Sequence, residues 1–150
     1  PTRLRLRAAR SGAIAREALD MPPSWPDPAR CIVLPLPVDP GDWRLRHKTT
    51  ERGFYEAGQA AARQHGAEEA LFIRDDGLLT EGCVTNIFVR DANGVLLTPP
   101  ARLGLLPGVL REELIGCGQA REAELTPGDL SDGFLLGNSL RGLMPARLVS

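Results

Sequence analysis

Two turn tripeptides, Asp75-Asp76-Gly77 and Ala92-Asn93-Gly94, constrain this chain more than any other feature. They cut its middle into β-rich runs only four to seven residues long: Ala70 to Arg74, Leu78 to Glu81, Val84 to Arg90 and Val95 to Thr98. Runs this short, bounded by Asp, Asn and Gly, are too brief for helices and read as antiparallel strands joined by tight turns. The chain is thereby committed to a sheet-based fold.

The flanks add further elements. Residues 1 to 9 alternate arginine with apolar residues at period two, the pattern of a half-exposed strand, and Ser11-Gly12 closes it with a turn. Residues 20 to 30 are proline-rich and read as a loop or linker. Cys31 to Val38 reads as a strand that Pro35 and Pro37 confine to an edge or a bulge. Thr50 to His65 reads as a helix with Thr50 as its cap, small residues on one face and Gly66 as its stop. Val109 to about Cys117 is a short helix, and Pro127 to Leu130 a helical turn. Phe134 to Gly137 and Leu143 to Val149 are the closing strands. The expected class is α+β with a largely antiparallel sheet and flanking helices.

Composition excludes several function classes. A net charge of −1 gives no electrostatic footprint for nucleic acid or an acidic membrane surface. No apolar run approaches the ~18 residues of a membrane span. The three cysteines match no metal or redox spacing, which points to a reduced, cytoplasmic protein. With only His47 and His65, no histidine-based metal site is expected.

The residues that can carry chemistry are few. Lys48 is the single lysine, and arginine supplies every other cation. A loop lysine is ordinarily just solvated, but only lysine can lose its proton and bond covalently to a carbonyl carbon. Glu81 ends a strand beside a glycine, within an apolar stretch. It reads either as a turn carboxylate or as a buried acid beneath a protonated pyridine nitrogen. Gly108-Val109-Leu110-Arg111 opens a helix, whose exposed amides suit a phosphate. Gly137-Asn138-Ser139-Leu140-Arg141-Gly142 follows an apolar strand. It reads as a polar turn or as the rest of a phosphate cup, with Arg141 placed for a substrate carboxylate. Asn86 reads as structural, and Tyr55 as a core ring with its hydroxyl at the site edge.

These pieces occur together and in order, and over roughly residues 44 to 147 the chain resembles the class IV aminotransferases, the fold-type IV pyridoxal-phosphate (PLP) enzymes. That family shows a lysine, then a glutamate about thirty residues on in a Thr-Glu-Gly-x-x-x-Asn-Ile-Phe context, here Thr80 to Phe88. Thr98-Pro99, the helix start Leu106 to Arg111, and the pair Ser139 and Pro145 complete the match. The resemblance implies PLP as cofactor, with Lys48 as Schiff-base lysine and proton shuttle. It implies Glu81 at the pyridine nitrogen, and Gly108, Val109, Leu110 and Ser139 at the phosphate. Leu110 stands where the family usually has threonine, which leaves only a backbone contact there. Leu140, Arg141 and Tyr55 are implied at the substrate.

Leu45 to Arg52 and Asn138 to Gly142 look most like aminodeoxychorismate lyases. The implied reaction releases pyruvate and 4-aminobenzoate for folate synthesis. The alternatives are a branched-chain or D-amino-acid aminotransferase, or a truncated non-catalytic family member. The resemblance further implies a homodimer, a working partnership with aminodeoxychorismate synthase, and a D-amino-acid-aminotransferase-like large domain built as a pseudo-barrel. Residues 1–43 are expected to be the end of a small domain with a linker and the strand leading in, and residues 44–150 the PLP-binding large domain, the usual N-terminal domain being mostly absent.

Overall fold

The computed structural model describes residues 2–149; Pro1 of the expected first strand lies outside them. Strands β1 (Thr2–Ala8) and β2 (Ile14–Asp20) form a separate antiparallel hairpin about the expected turn at residues 11 and 12. The strand character of β2 was not anticipated. Its sequence, Ile-Ala-Arg-Glu-Ala-Leu-Asp, is rich in good helix formers, so pairing with β1 overrides local propensity.

The body of the chain is one curled eight-stranded sheet. Its strands in chain order are β3 (Ala29–Pro35), β4 (Glu69–Ile73), β5 (Leu79–Gly82), β6 (Asn86–Arg90), β7 (Leu96–Thr98), β8 (Ala120–Glu122), β9 (Phe134–Asn138) and β10 (Gly142–Leu148). Across the sheet they run β5-β4-β3-β10-β9-β6-β7-β8. Four of its ladders are antiparallel and three, β10–β3, β3–β4 and β7–β8, are parallel. With helices α1 (Gly53–Gln64) and α2 (Val109–Gly116), the architecture is the expected α+β. No helix among the described residues is long and apolar enough to cross a membrane.

The turn signals do what their chemistry demands: Gly77 and Gly94 adopt φ of 83° and 84°, a region open to glycine at little cost. Three expectations need correction. First, β3 is a central strand between β10 and β4, not an edge. Pro35 is its last residue, where a missing N–H costs little, and Pro37 lies beyond it. Second, the strand runs Leu78 to Glu81 and Val84 to Arg90 do not pair with each other. Residues 83–85 turn away, so β5 pairs with β4 while β6 pairs with β9 and β7. Third, Thr50 does not cap α1. The Thr49 hydroxyl accepts the Glu51 N–H and the Thr50 carbonyl accepts that of Arg52. These local bonds delay the helix to Gly53, behind an N-cap, Arg52, that makes no side-chain cap.

Burial follows the period of two. On β4, Ala70 and Phe72 pack toward α1 with Tyr55, Ala62 and Cys83, while Leu71 joins Leu79, Ile87 and Leu136 on the other face. A third cluster of Phe88, Leu96, Leu114 and Ala120 seats α2. Its first turn is tied down by Arg111, 1% exposed, whose guanidinium donates to the Pro99 carbonyl and to Glu122. Both helices are therefore fixed against the sheet, with α2 starting near the loop after β5.

Candidate active site

Where α1, the end of β5, the start of α2 and the β9–β10 turn converge, they enclose a cavity of about 330 Å³. Six sequence-predicted residues line it together: Lys48, Tyr55, Glu81, Gly108, Val109 and Ser139. Lys48 comes from the segment between a 3₁₀ turn (Trp43–Leu45) and α1, Glu81 from β5, Gly108 and Val109 from the α2 start, and Ser139 from the turn after β9.

Glu81 is 4% exposed. Removal from water raises its carboxyl to about pKa 8, although the Tyr55 hydroxyl donates to its Oε1 at 2.6 Å and the Leu106 amide and Arg52 also favour the anion. No salt bridge to Glu81 forms among the described residues. An acid held this way accepts a cation from a ligand readily, because pairing relieves the burial cost.

Lys48 stands at the rim with much of its length in water, yet the pKa of its amine is lowered. The protein wall around the amine is the main cause, followed by the Arg52 cation, and Glu81 opposes both. A lowered ammonium is closer to the free amine that a nucleophile needs.

At the other end, α2 begins at Val109 with no side-chain cap. Its first amides have no intrahelical acceptor, so they and the dipole favour an anion. Asn86 sets this helix start: its Nδ2 donates to the Leu106 carbonyl at 3.0 Å and its Oδ1 accepts the Gly108 N–H at 3.2 Å. A Cβ on Gly108 would fall 2.3 Å from that oxygen. Gly108→Ala is therefore expected to cost about 1–3 kcal/mol of stability and to weaken binding of an anionic ligand. Thermal melts and inorganic phosphate titration would check this; an unchanged variant would remove the clamp from the account.

Three predicted residues do not line the cavity. The Leu110 side chain packs in the cluster under α2, leaving only its backbone at the helix start. The Leu140 amide donates to Asn138 Oδ1. Arg141 donates to the Pro23 carbonyl and stacks 4.8 Å over Trp25, which engages its guanidinium elsewhere.

Other lining residues were not singled out as site residues: Arg46, Arg52, Cys83, Val84, Thr85 and Asn138 among them. Arg52 donates to the Cys83 carbonyl at 2.8 Å and lies 4.5 Å over the Tyr55 ring. Asn138 donates to the Val84 carbonyl and accepts the amides of Leu140 and Arg141. Arg52 entered the sequence reading only as the end of the segment Leu45 to Arg52, and polar turn chemistry alone does not reveal the partner of Asn138.

One cavity thus combines an amine with a lowered pKa, a buried acid and a helix start without a side-chain cap. The sequence profile of the amino-transferase class IV family matches residues 5–149, and the chain belongs to that family, whose members use PLP. It is 42% identical over 96 residues to the branched-chain-amino-acid aminotransferase of Escherichia coli K12, a match covering 59% of this chain and 30% of that relative. It is 38% identical over 80 residues to the aminodeoxychorismate lyase of Saccharomyces cerevisiae, covering 49% of this chain and 21% of that one. A crystal structure of a putative amino-acid aminotransferase from Mesorhizobium loti superposes with a TM-score of 0.88 at 38% identity, over 99% of this chain and 73% of that one. The chain accordingly spans about a third or less of the length of these curated relatives.

The residues present fit the family cofactor. The buried acid of Glu81 suits a pyridine nitrogen, the Lys48 amine suits an aldehyde carbon, and the uncapped α2 start suits a phosphate.

Proposed function

We propose that this chain is the PLP-binding part of a 4-amino-4-deoxychorismate lyase, releasing pyruvate and 4-aminobenzoate. The observation that carries the PLP part is the shared cavity of Lys48 and the buried Glu81, which forms no salt bridge among the described residues. In this reading Lys48 holds the cofactor covalently, Glu81 holds its ring nitrogen, and the Val109 and Leu110 amides with the Ser139 hydroxyl hold its phosphate. PLP, when bound, supplies an electron sink for the substrate carbanion.

The chain's own residues do the rest. With PLP bound, the Lys48 amine would take the ring proton from the carbon bearing the substrate's amine nitrogen. As the carbon–oxygen bond to the enolpyruvyl group breaks, the Lys48 ammonium would return that proton to the methylene carbon of the departing enolate, so that pyruvate leaves and the ring becomes aromatic. Arg46 and Arg52, on the cavity wall, suit a substrate bearing two carboxylates. Tyr55 fixes the Glu81 carboxyl through its 2.6 Å hydrogen bond.

Folate synthesis, a cytoplasmic setting, a homodimer and work alongside aminodeoxychorismate synthase belong to the same proposal. So does the division of the chain: residues 1–43 as the end of a small domain, linker and entry strand, and residues 44–150 as the PLP-binding large domain. A second reading, branched-chain amino transfer, is favoured by the 42% identity to the Escherichia coli enzyme.

The deciding assay supplies PLP and aminodeoxychorismate without any 2-oxo acid. Pyruvate and 4-aminobenzoate are expected in equal amounts. Exchange between leucine and 2-oxoglutarate, with no pyruvate from aminodeoxychorismate, would replace the lyase by the aminotransferase.

A further inference from the structure

A second glutamate, Glu69 at the start of β4, lies behind the cavity and takes no part in the chemistry above. It is 0% exposed. Its Oε1 accepts the amides of Ala70 at 3.2 Å and Cys83 at 3.1 Å. Its Oε2 accepts the Val84 amide at 3.0 Å and the Thr85 hydroxyl at 2.9 Å. Three of these four donors belong to the turn that carries the chain from β5 to β6, immediately after Glu81. The turn is also closed by the Gly82 amide on the Thr85 carbonyl and anchored by the Cys83 amide on the Ala70 carbonyl.

A turn whose N–H groups point inward at one carboxylate is a concave anion seat filled by the protein itself. The Cys83 carbonyl accepts Arg52 and the Val84 carbonyl accepts Asn138, and both of those side chains line the cavity. Burial raises the Glu69 carboxyl to about pKa 7 even though the Val84, Thr85, Ala70 and Cys83 donors oppose the rise. A strand residue needs no buried acid to fold; apolar residues would fill this space at lower cost.

We propose that Glu69 is a positioning residue: its buried carboxylate shapes the turn at residues 82–85, so that Glu81, Arg52 and Asn138 are held where the ligand meets them. The consequence for cofactor binding rests on the reading of the cavity as a PLP site; the shaping of the turn does not.

The test uses Glu69→Gln, which keeps the shape but sets an amide group against N–H donors. Deuterium exchange at single amides is read first, on the chain without cofactor. Cys83 and Val84 are expected to exchange about tenfold faster than in the wild type, measured against Leu71 and Phe72 of the same strand. Equilibrium titration with PLP, followed by visible absorbance on the folded fraction, is expected to show about tenfold weaker binding. Should the Gln variant not fold, Thr85→Ala deletes one donor and keeps the carboxylate, and a smaller change in the same direction is expected.

If all amides quicken together, Glu69 merely stabilises the fold and the proposal falls. It falls equally if the folded variant binds PLP as tightly as the wild type. If the wild type itself takes up no PLP, the proposed function fails, and the exchange at Cys83 and Val84 alone decides the role of Glu69.

Discussion

Lys48→Ala is expected to give no visible absorbance with PLP, where the wild-type chain gives a band that borohydride bleaches. It is also expected to lose catalytic rate by on the order of 10⁴-fold, the upper range for removing a positioned proton-transfer group, with the covalent tether lost besides. The chain offers no substitute, since Lys48 is its single lysine and the arginines cannot lose their protons under working conditions. Arg46 and Arg52 would keep the cavity cationic, so the variant should still bind anions such as phosphate. An absorbance band that survives in Lys48→Ala would end the assignment.

Glu81→Gln is the second large expected effect, and it separates two measurements. PLP binding and turnover should each fall, turnover by on the order of 10²-fold, as when one partner of a buried charge pair is removed. Stability of the chain without cofactor should move the other way above neutral pH. The folded pKa values of Glu81 and Glu69 are raised from 4.5 to about 8 and about 7, so the folded state holds these protons more tightly than the unfolded state. Their favourable contribution is complete below about pH 4.5 and is lost as pH rises through 7 to 8. The acids with lowered pKa, Asp42, Glu68, Asp76, Asp91, Glu122 and Asp129, act below that window and leave it clear. The wild type is therefore expected to be less stable at pH 8.5 than at pH 5.5 by on the order of a few kcal/mol. Glu81→Gln should remove its own share of that slope, as should saturating PLP in the wild type, whose pyridinium gives the Glu81 anion a partner. Denaturant melts across pH would read both, and equal slopes in variant and wild type would show that Glu81 is not the buried acid described.

Much of the fold was legible because its signals are local. The glycines at 77 and 94 fix their turns whatever the rest of the chain does. The α2 helix and the closing strands β9 and β10 begin within a residue of their expected places. What escaped was pairing. Neither β2 nor β8 has a strand pattern of its own, and β3 looked like an edge because prolines say nothing about which neighbours a strand acquires. The site divided in the same way. Lys48, Glu81, Gly108, Val109 and Ser139 share the cavity, whereas Arg141 is engaged by Pro23 and Trp25, far away in sequence.

By itself the amino-acid sequence determined the chemical inventory of this protein: one lysine, an acid beside a glycine, a helix start without a cap, and turns that commit the chain to strands. Residue identity and local backbone preference suffice for these. Only the tertiary structure decided which polar groups meet. Glu69 stands just ahead of the strand run read from Ala70, but the fold wraps the turn at residues 82–85 around it. Arg52 looks like a solvated cation, but the fold sets it over Tyr55 in the cavity wall. The physical reason is burial: a carboxylate removed from water must find its donors wherever the packed chain brings them, and sequence separation does not encode that distance.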